Sequence, residues 1–274
     1  MTKLLYLITV LSLFVSCKKD STSRNGEGEV LLRKFVLLNS ATNDTDYIYN
    51  FSYDDLNRCT TIDIFDSNFG GQYTYTNFYN GNDSVIQHTE FLGQDSAKDF
   101  FTYDVSGFLI KDSILEYPEF LIYNYTHTGN RVAGTLHTLT GYLLRSVHTI
   151  NSDAAGNITN EIDSSFQISQ FTGLEELDAR IENVITYDNA PNPFYRIFPG
   201  KSIIMMYENW NELPMFHLFK GKNNILTQKR TVDLGTYRAF HDKYIYMYNT
   251  NGYPSSVIYT DIEYGGTYKG FYYY

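Results

Sequence analysis

The segment that decides the fold is residues 51–58, FSYDDLNR, because variants of it recur along the chain. Residues 101–108 read FTYDVSGF and residues 246–253 read YMYNTNGY, while residues 150–157 (INSDAAGN) and 185–188 (ITYD) echo the same order. The shared unit is an aromatic residue, a spacer, Tyr, Asp or Asn, two further residues, and Gly or Asn. The Asp or Asn can accept a backbone N–H two residues on, which closes a turn. The unit therefore predicts a hairpin connection.

Between these turns the sequence alternates with a period of two, as in residues 73–76 (YTYT) and 244–248 (YIYMY). Such alternation places one set of side chains on each face of a sheet. Gly107, Gly129 and Gly156 are about two dozen residues apart, the length of one hairpin and its next turn. We predict an all-β chain: a many-stranded, curved antiparallel sheet of consecutive hairpins, with about fifteen strands.

Helix signals are few. Residues 173–180 (GLEELDAR) have the composition of two helical turns, and residues 200–210 (GKSIIMMYENW) are the better helix candidate. The repeat lapses between Asn189 and Gly221. We therefore expect a short helical and loop insert near residues 190–221 that covers one end of the sheet.

Composition excludes two classes of protein. The 274 residues are 43% hydrophobic and only 19% charged, which rules out disorder throughout the chain. The net charge of −10 argues against a nucleic-acid partner, because nucleic acid requires a basic surface. Aromatic content is high, with 26 Tyr and 19 Phe, and both residues favour strands.

Residues 1–16, MTKLLYLITVLSLFVS, have one cation, Lys3, before an apolar run. The run is shorter than the roughly 20 residues of a membrane-spanning helix and is typical of a secretory signal. The junction at Ser16 and Cys17 resembles the bacterial lipoprotein box, although Phe14 stands where Leu is usual. The resemblance implies cleavage after Ser16, a diacylglycerol on the Cys17 sulfur, and a further acyl chain such as palmitate on the new amino terminus. An ordinary cleaved signal is the alternative.

Residues 18–29 contain no aliphatic or aromatic side chain, so we expect residues 17–29 to form a flexible tether and residues 30–274 the hairpin-repeat domain. The Lys18-Lys19-Asp20 start is similar to that of lipoproteins of the Bacteroidota, which implies an outer-membrane lipoprotein facing either the periplasm or the exterior. Cys59 is the other cysteine. We predict that it is a small buried side chain, with a reactive thiol as the alternative.

The repeated unit resembles the tyrosine–aspartate repeats of Rhs-type toxin shells, in fewer copies. The chain is also similar to secreted Bacteroidota lipoproteins of unknown function. Those proteins combine a lipobox, a polar tether, such hairpins, an Asn-Pro-Phe-Tyr insert (here residues 192–195) and a late Asn-Gly-Tyr-Pro turn (here residues 251–254). The resemblance implies a porin-like antiparallel sheet and supplies no catalytic residues.

Motifs for chemistry are weak. The triplet at residues 200–202 (GKS) lacks the upstream Gly of a phosphate loop, since that position holds Tyr195. His137 and His148 would supply at most half a zinc site if they met across a hairpin. The acidic turn at residues 153–157 is either a calcium ligand set or an ordinary turn. We therefore predict no metal and no cofactor.

Carboxylates for glycoside hydrolysis are set by spacing in three dimensions rather than in sequence. The acids of the irregular segments are the candidates: Glu175, Glu176, Asp178, Glu208 and Glu212. Two of them in one cleft, about 5–10 Å apart, would favour a hydrolase. A broad Tyr-lined face without convergent carboxylates would favour binding.

The tyrosines have two interpretations. Cross-strand aromatic pairs explain most of them, whereas an exposed Tyr ladder would stack sugar rings or a peptide. A transmembrane barrel is a further alternative, since Tyr274 resembles the aromatic end signal of outer-membrane barrels. Acids on both alternating sets of positions argue against a lipid-facing surface: Asp63, Asp66, Asp112, Glu116, Glu161 and Asp163.

The sequence therefore predicts a membrane-anchored envelope lipoprotein with a non-enzymatic role. The expected partners are the membrane, through the lipid on Cys17, and a glycan, peptide or envelope protein; a structural role is included. A polysaccharide hydrolase and an outer-membrane β-barrel are the two alternatives.

Overall fold

The computed structural model describes residues 30–67, 70–80, 85–92, 95–116, 119–129, 131–138, 143–168, 172–197, 218, 221–233, 237–262 and 265–274. Residues 31–274 form one compact unit. Its sixteen strands are β1 Lys34–Asn39, β2 Thr45–Tyr53, β3 Cys59–Asp66, β4 Gly71–Tyr79, β5 Val85–Leu92, β6 Asp95–Tyr103, β7 Leu109–Glu116, β8 Glu119–Thr128, β9 Arg131–Thr138, β10 Leu143–Ser152, β11 Ile158–Ile168, β12 Glu175–Pro191, β13 Asn223–Asp233, β14 Tyr237–Tyr248, β15 Pro254–Asp261 and β16 Thr267–Tyr273.

The strands form a closed antiparallel barrel. Each strand pairs with its neighbours in sequence order, and β1 pairs with β16 from Lys34↔Tyr273 to Asn39↔Tyr268. The prediction of an all-β sheet of consecutive hairpins is confirmed. The structure adds one strand to the expected number and shows that the sheet closes on itself, so no sheet edge remains unpaired.

The repeated turns have one shared geometry. The carboxylate of Asp54 accepts hydrogen bonds from the backbone N–H groups of Leu56 and Arg58, at 2.9 and 3.0 Å. Asp104 and Asn249 accept the same pair of bonds from the residues two and four positions on. In four of the repeated turns, the third residue after the Asp or Asn has a positive φ: 61° at Asn57, 76° at Gly107, 89° at Gly156 and 79° at Gly252. The predicted turn-closing role of the Asp or Asn is confirmed.

Burial alternates along the strands, so one set of side chains faces the lumen of the barrel and the other faces outward. The main inward cluster joins the two ends of the chain with the first strands; it includes Phe35, Tyr49, Phe51, Ile62, Tyr244 and Tyr272. A smaller cluster on β5 to β9 contains Val85, Phe101, Leu109, Tyr125 and Val132. The lumen is therefore packed with apolar and aromatic side chains along much of the wall.

The insert between β12 and β13 contributes to this packing. A short 3₁₀ helix, Pro193–Arg196, begins after Asn192, whose side chain accepts the Phe194 N–H at 3.0 Å. The Phe194 ring packs edge-on against Phe35, with centroids 5.2 Å apart and planes at 79°. Phe194, at the start of the insert, thus packs into the main inward cluster. The predicted helix at residues 200–210 lies outside the described residues.

One helix prediction is wrong. Residues 175–180 belong to β12, and Glu175 pairs with Ile168 of β11. The ladder of cross-strand hydrogen bonds outweighs the helix propensity of Glu, Leu and Ala. The signal and tether assignments, including Ser16 and Cys17, lie outside the described residues. In the part of the chain that is described, no helix is long and apolar enough to cross a membrane.

Candidate binding site on the luminal wall

The outward face of the barrel carries cations in the middle of its strands. Lys98, Lys229, Lys243 and Lys269 are exposed. The residues on both sides of Lys229, Lys243 and Lys269 are more buried, and so is Asp99, which follows Lys98. The outward face therefore carries these lysines together with exposed apolar side chains such as Phe65, Phe78 and Leu115, while the inward face contains the core.

The repeated Tyr has a structural role that the sequence did not reveal. The hydroxyl of Tyr53 donates a hydrogen bond to the carbonyl of Leu32 at 2.7 Å, joining the end of β2 to the residues before β1. The same tie links the two strands of other hairpins at 2.6 to 2.8 Å: Tyr79 to Cys59, Tyr103 to Val85, Tyr187 to Ile158, and Tyr274 to Pro254. The sequence signal, a Tyr immediately before an Asp, is present at Tyr53, Tyr103 and Tyr187.

A luminal polar patch lies on β12 to β15. We define it by Asn183, Gln228, Arg230, Asp242 and Asp261. The register places Asn183 opposite Arg230, and it aligns Gln228, Asp242 and Asp261 across three neighbouring strands. Residues that pair directly across an antiparallel ladder point to the same face, and the buried Asn183 and Gln228 identify that face as the lumen.

Two atoms of the patch are buried without a partner. The Gln228 amide donates to the Asn183 oxygen at 3.0 Å. Within the described part of the chain, the other amide atom of Gln228, Oε1, and the Nε of Arg230 are buried and have no hydrogen-bond partner. Leaving a buried polar atom unpaired costs about 1–3 kcal/mol. In a native protein such atoms are commonly met by an ordered water, an ion or a ligand.

Asp242 has a perturbed acidity. Burial raises the pKa of the Asp242 carboxyl to about 6, and the negative charge of Asp261 acts in the same direction. A hydrogen bond from the Tyr259 hydroxyl, 3.1 Å from Oδ1, and the positive charge of Arg230 oppose that increase in the pKa. The carboxyl group is therefore partly protonated near neutral pH and can act as donor or acceptor.

A stack of three tyrosines adjoins the patch. Tyr244, Tyr259 and Tyr268 are aligned on β14, β15 and β16. The Tyr244 and Tyr259 ring centroids are 5.1 Å apart, those of Tyr259 and Tyr268 are 5.6 Å apart, and both pairs are stacked at 21°. Tyr259 and Tyr268 are only half-buried, so part of each ring is open to solvent.

The patch and the stack together combine amide, guanidinium, carboxyl and aromatic groups on one wall. A ligand with many hydroxyl groups matches this set, because hydroxyls both donate and accept hydrogen bonds and sugar rings pack on aromatic side chains. No group of three or more His, Cys, Asp or Glu side chains suited to a metal occurs among the described residues.

Most of the metal-binding and catalytic candidates that the sequence suggested do not belong to the luminal patch. The register pairs His137 with Leu143 and His148 with Val132, so the two histidines do not face each other. Glu175, Glu176 and Asp178 are exposed at the start of β12, and Glu208 and Glu212 lie outside the described residues. The Asp153 carboxylate is engaged by Asn157, through its backbone N–H and its amide, both at 2.9 Å; these bonds hold the pKa of Asp153 below its usual value.

The remaining assignments concern buried groups. Cys59 is fully buried, with its sulfur 3.6 Å from the Thr61 carbonyl, and burial raises the pKa of its thiol. A buried structural cysteine is therefore the correct interpretation. Three of the strand acids that argued against a lipid-facing surface are buried: Asp66, Asp112 and Glu161. Asp63 faces outward and accepts a hydrogen bond from Thr74 at 2.8 Å.

The strands define the class of fold: a closed, sixteen-stranded antiparallel β-barrel. Two solved structures are similar to this chain. A porin-like protein from Bacteroides uniformis ATCC 8492 has a TM-score of 0.50 at 14% identity, covering 88% of this chain and 96% of that chain. A porin-like protein from Bacteroides vulgatus ATCC 8482 has a TM-score of 0.47 at 9% identity, covering 90% of this chain and 99% of that chain.

A scan of protein-family models and a search of the curated proteins find no match. At 14% identity the Bacteroides uniformis structure shows the fold alone. A closed barrel is the architecture that the outer-membrane barrel alternative requires.

Proposed function

We propose that this chain is a lipid-anchored envelope barrel that stands in water and binds a hydroxylated ligand, of the glycan class, on its luminal wall. The observation that carries the proposal is the distribution of side chains across the wall. Exposed lysines occupy mid-strand outward positions at Lys98, Lys229 and Lys243, and the inward positions hold apolar clusters together with buried acids such as Asp66, Asp112 and Glu161.

A pore that spans the outer membrane presents an apolar band to lipid, and charged side chains are unfavourable within that band. One Lys on a lipid face at the bilayer midplane costs about 2–4 kcal/mol. Several such residues at mid-strand make insertion of the wall unfavourable. A lipid on Cys17 would hold such a barrel at the membrane without insertion.

The outer-membrane barrel is the second candidate, and the porin-like fold of the Bacteroides structures favours it. The two candidates differ in how the protein is held. Fractionation of cells that express the chain, or its Cys17→Ala variant, tests them. We expect alkaline carbonate to release Cys17→Ala, folded and without detergent, while the unmodified chain requires detergent. If Cys17→Ala stays in the membrane after the carbonate wash, the barrel spans the bilayer and our proposal is wrong.

A binding role fits the patch better than hydrolysis. Asp242 and Asp261 pair across neighbouring strands, which places their Cβ atoms about 4.5–5.5 Å apart and directs both side chains the same way. Glycosidases instead place their two carboxyl groups on either side of the scissile bond. The Asp pair, next to the tyrosine stack, is arranged to contact one side of a ligand.

A further inference from the structure

The outer surface of β14, β15, β16 and β1 carries exposed apolar side chains together with lysines. Exposed apolar side chains also lie on β3 to β7, such as Phe65, Phe78 and Leu115, so the feature that sets this surface apart is its charge. Two outward rows run across the surface. In one row Ile245 lies beside Ile258, and in the other Phe271 lies beside Val36. Met247 and Ile245 are 67% and 53% exposed. We name this surface the β14–β1 face; it comprises Lys34, Val36, Lys243, Ile245, Met247, Ile258, Lys269, Phe271 and Tyr273.

The charge on the β14–β1 face has one sign. Lys34, Lys243 and Lys269 point outward from three of its four strands. Strands β1 and β16 contain no acid, and the acids of β14 and β15, Asp242 and Asp261, belong to the luminal patch on the other side of the wall. Among the described side chains of these four strands, the outward charge is therefore positive on a chain whose net charge is −10.

Cations and rings on this face are intermixed. The Lys269 ammonium lies 5.1 Å from the centre of the Phe271 ring, and the Lys34 ammonium lies 6.0 Å from that of Tyr273. In both pairs the lysine charge lies near an aromatic ring. Exposed aliphatic and aromatic groups bordered by lysines are typical of surfaces that rest in the headgroup region of a bilayer.

The length of the segment between Cys17 and the barrel allows the same partner. Twelve residues lie between Cys17 and Val30, and a fully extended segment of that length spans at most about 45 Å. Val30 directly precedes the residues that lead into β1, a strand of this face. A lipid on Cys17 would therefore keep the face within reach of the bilayer.

We infer that the β14–β1 face docks on an anionic lipid surface, with Met247, Ile245 and Phe271 entering the headgroup region and the three lysines contacting lipid phosphates. The inference rests on the proposed lipid-anchored barrel. It adds that the barrel has a fixed side toward the membrane, which leaves the opposite wall toward solvent.

Vesicle cosedimentation of the Cys17→Ala chain tests the inference without the anchor. The probes are vesicles of equimolar phosphatidylglycerol and phosphatidylcholine, and vesicles of phosphatidylcholine alone. We expect binding to the first and weak binding to the second. Lys34→Glu, Lys243→Glu and Lys269→Glu combined should lower the affinity by about tenfold or more, and Met247→Ser with Ile245→Ser should lower it on both vesicle types.

The matched control reverses Lys98 and Lys111, which point outward from β6 and β7. This variant should bind within about twofold of Cys17→Ala, since charge acts over only about a Debye length. Equal loss in the control, or no binding by Cys17→Ala, would overturn the inference. So would a dimer of Cys17→Ala that Met247→Ser dissociates, because a second copy would then cover the face. If Cys17→Ala cannot be obtained without detergent, the proposed lipid-anchored barrel itself has failed.

Discussion

The ring of Phe35 occupies the space in which a side chain on Gly270 would lie. A Cβ on Gly270 would stand 2.5 Å from Cζ of Phe35 and 2.8 Å from a methyl carbon of Val257. Phe35 is fully buried on β1 and Gly270 lies on β16. This contact therefore lies between the first and last strands, whose pairing closes the barrel.

Gly270→Ala should destabilise the barrel by about 1–3 kcal/mol, because the added methyl group has no room beside the Phe35 ring. Urea unfolding followed by circular dichroism measures the change. The Phe35→Leu substitution removes ring atoms from the crowded space. The double variant should lose less stability than the sum of the losses in the two single variants. If the two losses simply add, Phe35 is not the group that excludes a methyl group at Gly270.

Tyr53→Phe should lower the free energy of unfolding by about 0.5–1.5 kcal/mol, because it removes the hydroxyl bonded to Leu32 while retaining the ring. Thermal and urea unfolding provide the measurement. Tyr273→Phe, on an exposed outward ring, is the control and should change stability by much less. If both variants lose the same stability, the hydrogen bond from the Tyr53 hydroxyl to the neighbouring strand does not account for the loss.

Asp104→Ala should cost about 1 kcal/mol, because the N–H groups of Ser106 and Phe108 lose their acceptor. Asp104→Asn retains an oxygen at the same position and should recover most of that stability. An Asn variant as unstable as the Ala variant would show that the negative charge, rather than the hydrogen bonds, holds the turn.

Asp242 should make stability depend on pH. Its pKa is about 6 in the folded chain and about 3.9 when unfolded, so the folded state binds more protons between these values. Stability should therefore fall as pH rises from about 4 to about 6 and change little from this group above that. Screening by solvent at this half-buried site limits the effect to about 1 kcal/mol. Asp242→Asn should abolish this dependence of stability on pH, whereas Asp233→Asn, at an exposed side chain, should leave it unchanged. If the dependence persists in Asp242→Asn, another group is responsible for it.

Arg230→Met should separate stability from binding. It removes the buried Nε that has no partner in the described part of the chain, so stability should stay within about 1 kcal/mol or rise. Scanning fluorimetry with a panel of neutral and uronic oligosaccharides should show a ligand-induced increase in Tm for Cys17→Ala that Arg230→Met loses. An unchanged increase would place the ligand elsewhere on the wall.

Much of the fold could be predicted from the sequence because its signals are local. The Asp or Asn of each turn and the period of two are read within a few residues, and both were confirmed at Asp54 and Asp104. Closure of the sheet depends on pairing between β1 and β16, which no local pattern encodes. Residues 175–180 were assigned to a helix because intrinsic propensity does not register the strand beside them.

The luminal patch could not be predicted for a related reason. Gln228, Asp242 and Asp261 are aligned only by the register of β13, β14 and β15, and a shift of one residue would turn each of them outward. The repeated Tyr was recognised as part of a motif, but its partner carbonyl lies about twenty residues earlier in sequence.

The pairing of the first strand with the last governs when the chain can finish folding. The β1–β16 ladder joins residues more than two hundred positions apart, and contacts of such sequence separation form slowly because a long loop must close first. Until β16 is available, β1 presents an unpaired edge to other chains. Folding to completion therefore has to await the last strand, and removal of β16 would leave an aggregation-prone open sheet instead of a smaller barrel.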